Sequence, residues 1–204
     1  MDNIDIKELI KPDNIKTKLI LIALFIAIYE NFKETLNDRV KTFFLDGLEQ
    51  GKPIYNEYYK KEILGKAKKG KNPNLLWFKD LNAITDEDIS NFEKITDLRN
   101  ELVHKMSYYI IYNPLPNNFF PLYKTMLNLF KKIDKWWINE FEISIGTEYE
   151  KEDYDPNEVQ SVNFLFLETM EAIVLNKDFE HLEEYLNLIL NNKFVKDIIK
   201  KSNC

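Results

Sequence analysis

Residues 85–112, TDEDISNFEKITDLRNELVHKMSYYIIY, decide how the rest of the chain is read. Thr85 followed three residues later by Asp88 has the form of a capping box, and the acids of the first turn suit the positive end of a helix dipole. Apolar residues then recur at helical spacing until Asn113-Pro114, a pair that stops a helix. The stretch predicts one long amphipathic helix, and its neighbours must supply the partners for its apolar face.

Towards the N-terminus, a long helix is predicted from Pro12-Asp13 to about Asp46-Gly47, centred on the uncharged run LILIALFIAIY at 19–29. That run is about half of the ~20 residues that a membrane span needs. Lys18 and Glu30 bound it, so it fits a buried core helix. A polar stretch precedes it and no small-residue cleavage pattern follows, which argues against a signal peptide. GLEQGKPIYN (47–56) breaks this helix, a shorter one is expected around 56–64, GKAKKGKNPN (65–74) has loop composition, and NLLWFKDLNAI (74–84) reads as a short apolar helix.

Beyond residue 112, the loop NPLPNNFFP leads to a helix over about 122–141. An acidic connection over 142–158 follows, in which FEISI (141–145) has the look of a short extended piece. Helices are expected near 159–175, 179–191 and 194–200. The expected fold class is all-α: a helical bundle with an up-and-down core of four to five helices over about 13–141 and extra C-terminal helices over 159–201, in a single domain 1–204.

Composition agrees with this. Five glycines and seven prolines in 204 residues favour long helices over a turn-rich sandwich. The single cysteine, Cys204, permits no internal disulfide, so a cytoplasmic protein without a membrane span is expected. A net charge of −6 argues against coating nucleic acid wholesale, but the charge is uneven. Lys60, Lys61, Lys66, Lys68, Lys69 and Lys71 face one acid, Glu62, whereas 147–158 is strongly acidic. The lysines suit either an RNA backbone or a plain solvated loop. Tyr58, Tyr59 and Trp77 nearby suit either base stacking or a core, and so do Trp136 and Trp137.

Positive charge here is almost all lysine: of 28 lysines and arginines only Arg39 and Arg99 are arginine. On a wheel advancing ~100° per residue, Phe92, Ile95, Leu102, Val103 and Met106 fall within ~60° of Arg99. Arg99 thus lands on the apolar stripe, while Glu93, Asp97, Asn100 and His104 form a polar stripe ~130° away. A guanidinium there needs a carboxylate, a water-filled cleft or an anion. An arginine fork beside an imidazole is a kit for phosphodiesters: the fork holds phosphate oxygens and the imidazole moves a proton. The plainer alternative is a structural ion pair of Arg99 with Glu30 and a half-exposed His104.

Arg99-Asn100-Glu101-Leu102-Val103-His104 resembles the signature of the HEPN superfamily, the higher-eukaryote and prokaryote nucleotide-binding helical domains: an arginine, often followed by a polar residue, four to six positions before a histidine. The resemblance covers the first helix through about residue 140. It implies a metal-independent endoribonuclease, with no cofactor and no metal, whose sites form where two subunits of a homodimer meet. In that reading Arg99 grips the scissile phosphate, His104 is the general acid or base, Asn100 orients His104 or touches the phosphate, and Glu30 gives support. RNA is the substrate, and an antitoxin or defence-complex protein is the implied partner, since many relatives are toxins or anti-phage abortive-infection effectors. One subgroup carries a modified tyrosine two residues after the histidine; here that position is Met106, with Tyr108 and Tyr109 beyond it.

Other chemistries fit less well. Glu101-x-x-His104 and Asp178-x-x-His181 hint at a di-iron bundle, but Asp178 has the position of a helix cap and Glu101 the solvent side of its helix. No phosphate-binding glycine loop or nucleophile elbow appears. The remaining alternative is a non-catalytic helical interaction or regulatory subunit of a defence or nucleic-acid complex, with Arg99 and His104 in an interface.

Overall fold

Pro12 at the first helical position and Asp13 in the first turn start helix α1, which runs Pro12–Phe43 in the computed structural model. The structure describes residues 11–65, 72–145 and 155–175. The expected helices at 179–191 and 194–200, the lysines Lys66, Lys68, Lys69 and Lys71, and most of the acidic connection lie outside these described residues.

After α1 the chain forms strands β1 (Leu45–Glu49) and β2 (Lys52–Tyr55), a π-helical turn (Tyr59–Leu64), and helices α2 (Pro73–Asp80), α3 (Asp86–His104), α4 (Met106–Ile111) and α5 (Phe119–Trp137). A second π-helical turn (Ile138–Glu142), a helical turn (Ile143–Ile145) and helix α6 (Val162–Val174) follow. The protein is mostly helical, as the periodicity requires. The chain divides into two compact units, 1–136 and 137–204.

The sequence reading needs three local corrections. The stretch after α1 is a β-hairpin, and its two-residue turn places Gln50 at φ 51° and Gly51 at φ 78°. Two successive positive φ values make the turn that matches strand twist, and glycine takes the second without strain. Secondly, FEISI is helical rather than extended: Phe141 and Glu142 belong to the second π-turn and Ile143–Ile145 to a helical turn. Thirdly, the helix of residues 85–112 is two helices, with a break at Lys105.

In the first unit the core forms along α1. Ile22, Phe25, Ile28, Tyr29, Phe32, Leu36 and Val40 recur at helical spacing and are buried. Phe32 is the meeting point of three helices: it stacks on Phe130 of α5 at 4.6 Å and meets Phe92 of α3 edge-on at 5.6 Å. Full burial of a ring this size is worth ~1.5–3 kcal/mol. Further along, Phe44, Tyr59, Trp77 and Phe78 form a second aromatic cluster under the hairpin, and Trp136 packs on Phe78 at 5.6 Å. Tyr59 and Trp77 are therefore core residues, while Tyr58 remains exposed with its ring stacked on Phe44.

Polar side chains fix how these elements meet. Asn72 caps α2 by accepting from Asn74 N and Leu75 N. Asn37 of α1 accepts from both Asn72 and Asn74, and Tyr59 donates to Asn74. The capping box of α3 is present, with Thr85 and Asp88 bonded reciprocally, and Lys132 of α5 donates to the same Asp88 at 2.6 Å. Burial works against the Asp88 charge, but the Lys132 and Thr85 hydrogen bonds outweigh it and hold the carboxyl below its ordinary range. Lys18 of α1 donates to the carbonyls of Ile110 and Asn113, so it closes the end of α4.

In the second unit Trp137 stacks on Phe141 at 4.7 Å, and Asn139 donates to the carbonyl of Pro156. Ser161 caps α6 through Phe164 N.

Candidate functional site

On α3 the buried residues are Ile89, Phe92, Ile95, Leu98 and Leu102. Their steps of three, three, three and four fall short of the helical period, so the buried line drifts around the helix as it advances. By residue 98 it has moved ~100° to one side of Arg99. This corrects the wheel: Arg99 stands at the margin of the buried face, Leu98 takes the interior position, and Val103 is 38% exposed. A marginal place lets one end of a long side chain pack while the head reaches water.

The Arg99 side chain is 28% exposed and forms an ion pair with Glu30, itself 44% exposed. Its Nη1 donates to Asn100 Oδ1 at 3.1 Å, and its guanidinium carbon lies 5.7 Å from the centre of the Tyr29 ring. Tyr29 is buried and shares a hydrogen bond with Thr96 of α3 at 3.1 Å, so its ring is a fixed wall. Two consecutive residues of α1, Tyr29 and Glu30, thus hold the arginine from below and from the side. The Arg99–Glu30 pairing anticipated from the sequence is present.

His104 is the last residue of α3 and is exposed. Among the described residues it makes no hydrogen bond or ion pair. Asn100 spends its Oδ1 on Arg99, which sits next to it, and does not bond His104. Five residues of helix separate Arg99 from His104, a rise of ~7.5 Å with a turn of ~140°. Within one chain, then, the structure brings together Glu30, Arg99 and Asn100, and sets His104 apart beside the break at Lys105.

The break opens a hollow lined by Val103, His104, Lys105, Met106, Ser107 and Tyr108. Beneath it, Glu101 receives hydrogen bonds from Lys105 at 3.1 Å and from Tyr109, a buried residue of α4. The Tyr109 bond, then the Lys105 bond, lower the Glu101 carboxyl from its ordinary range. The same Glu101 bond, with burial adding to it, pushes the Tyr109 hydroxyl up to about 12. Both bonds fall on Oε1 of Glu101, so this carboxylate ties the end of α3 to α4. Glu101, Lys105 and Tyr109 lie at spacings of four, a helical signal that the sequence carries independently of the arginine and histidine.

Of the lysines singled out, Lys60 and Lys61 are exposed and both pair with Glu57, at 3.0 and 3.3 Å. A second groove, of about 470 Å³, lies elsewhere in the first unit, between α1, α2 and α3, with Lys33, Asn37, Lys41, Glu93 and Asp97 among its lining residues. It contains neither Arg99 nor His104. Among the described residues no group of histidine, cysteine and acidic side chains is arranged to hold a metal, and no helix is long and apolar enough to cross a membrane. No family model, curated protein or solved structure matches this chain.

Proposed function

We propose that this chain is a metal-independent endoribonuclease of HEPN type, in which Arg99 binds the scissile phosphate and His104 transfers the proton. The observation that carries this reading is the contrast on α3: a guanidinium that is oriented yet reachable, and a few residues on an exposed imidazole that makes no hydrogen bond or ion pair among the described residues. Glu30 and the Tyr29 ring aim the fork, and a half-exposed ion pair is worth only ~0–1 kcal/mol, so a phosphate can compete for the remaining donors. Phosphate oxygens on the guanidinium would stabilise the charge that builds at phosphorus, while His104 takes the proton of a ribose 2′-hydroxyl or protonates the leaving oxygen. Because the two groups diverge on one helix, a homodimer that brings Arg99 of one copy near His104 of the other completes the site. Toxin or abortive-infection roles, with a protein partner that restrains the enzyme, go with this reading.

The direct test is cleavage of single-stranded RNA in EDTA. Arg99→Ala and His104→Ala should each remove activity, with melting temperature changed little for His104→Ala because that side chain packs against nothing it bonds. Parent protein that leaves RNA intact under these conditions ends the proposal.

A second reading has its own observation. The Arg99–Glu30 pair ties α3 to α1 and is sufficient as a structural contact. On that reading the protein is a non-catalytic helical module, and Arg99→Ala lowers stability or self-association while no RNA is cut.

A further inference from the structure

Lys105 has φ −115° and ψ 21°, outside helical geometry, so α3 ends at His104 and α4 starts afresh at Met106. The change of direction carries Tyr108 into the same hollow as His104. Tyr108 is 50% exposed. Its neighbour Tyr109 is its opposite: buried, bonded to Glu101, and set edge-on to Tyr108 at 5.5 Å and 75°. Tyr109 thus steadies the inner side of the Tyr108 ring, while half of that ring faces the solvent of the hollow. Tyr112, four residues on and 60% exposed, lies on the same side of α4.

We propose that Tyr108 is the stacking platform for one unpaired nucleobase of an RNA strand whose backbone passes His104. This rests on the ribonuclease reading and adds to it the feature that selects single strands. A tyrosine ring offers a flat π-face to any base once the base is unstacked from its own helix, and a duplex keeps its bases out of reach. The company of the ring favours a nucleotide over a protein partner. Its hollow sets an imidazole and a lysine beside the apolar side chains of Val103 and Met106, so a base can lie on the ring while its backbone runs past His104 and Lys105. A ring fixed from behind also costs little to order on binding.

The test uses the full chain with His104→Ala as a non-cleaving background and a fluorescent mixed-sequence single-stranded RNA as probe, with the same sequence as a duplex alongside. Tyr108→Ala should weaken single-strand binding about tenfold, the scale of one lost base stack. Tyr108→Phe and Tyr108→Trp should keep affinity, since both retain the ring. The slope of affinity against salt should not change, because no phosphate contact is lost. Duplex binding should be weak and insensitive to all three.

Several results would overturn the proposal. If Tyr108→Ala binds within about twofold of its background while the parent cuts RNA, the stacking role fails and the ribonuclease reading stands. If Tyr108→Phe loses as much as Tyr108→Ala, the hydroxyl and not the ring makes the contact. Loss of self-association with RNA affinity intact makes Tyr108 a protein interface residue. A parent that neither binds nor cuts the probe removes both the inference and the reading beneath it. Tyr108→Phe and Tyr108→Trp, which keep a ring at the site, guard against a folding artefact in Tyr108→Ala.

Discussion

The two arginines of this chain make the same bond in different surroundings. Arg39 of α1 donates to Asp134 of α5 at 2.6 Å, and their side chains are 11% and 1% exposed. Arg99 of α3 pairs with Glu30 of α1 at side-chain exposures of 28% and 44%. In the first pair both ions have given up most of their water, so the contact helps fix how α1 and α5 lie together. In the second, water still reaches both ions, so the bond is weak and exchangeable. The same pairing is scaffold in one place and a ready but uncommitted cation in the other.

Removing one ion from each pair is the most direct way to break that comparison. Asp134→Ala should have the largest effect, a loss of about 3–5 kcal/mol in urea unfolding, because it removes one ion of a pair whose side chains are 11% and 1% exposed. A loss below about 1 kcal/mol would show that the interior pair is no more committed than the exposed one.

The Tyr109–Glu101 bond is intermediate, a buried hydroxyl on a half-exposed carboxylate. Tyr109→Phe should cost about 1–2 kcal/mol. Its dependence on pH has a definite sign. Tyr109 is held protonated in the fold, with its pKa raised to about 12 from an ordinary 10.0. Its stabilisation is therefore complete below the ordinary tyrosine range and fades as pH rises towards the raised value. Glu101 is shifted the other way, so its share is present above the ordinary carboxylate range and is lost on acidification. Ultraviolet titration should show a late-ionising tyrosine that disappears in Tyr109→Phe. Coincident titration of all tyrosines would sink the assignment.

Losing the Thr85 cap should come next, with Thr85→Ala costing about 1 kcal/mol. The smallest effect is expected for Glu30→Gln, under about 1 kcal/mol and smaller still in high salt. A large loss there would make the Arg99 pair a structural tie and favour the non-catalytic reading.

How much of this was legible varied with how local the cause was. The Thr85–Asp88 cap, the apolar run of α1 and the stop at Asn113-Pro114 each depend on a few neighbouring residues, and the structure has them where the pattern put them. The hairpin escaped notice because its strands are mostly exposed and lack alternation, and because glutamine rather than asparagine takes the first left-handed position of its turn. The split at Lys105 was hidden for another reason: no proline or glycine marks it. It coincides with side-chain ties from Glu101 to Tyr109 and from Lys18 to the end of α4, and the second of these joins residues far apart in sequence.

For the candidate site, the sequence by itself determined which groups are scarce and that Arg99 and His104 share a helix. These follow from composition and helical period alone. Only the tertiary structure decided that the buried line drifts away from Arg99, that Asn100 serves the arginine and not the histidine, and that Tyr29 and Tyr108 stand beside the two groups. A helical wheel assumes a straight stripe on an isolated rod. The contacts of α1 and α5 select which residues are covered, and each covered residue shifts the degree to which its neighbours meet water.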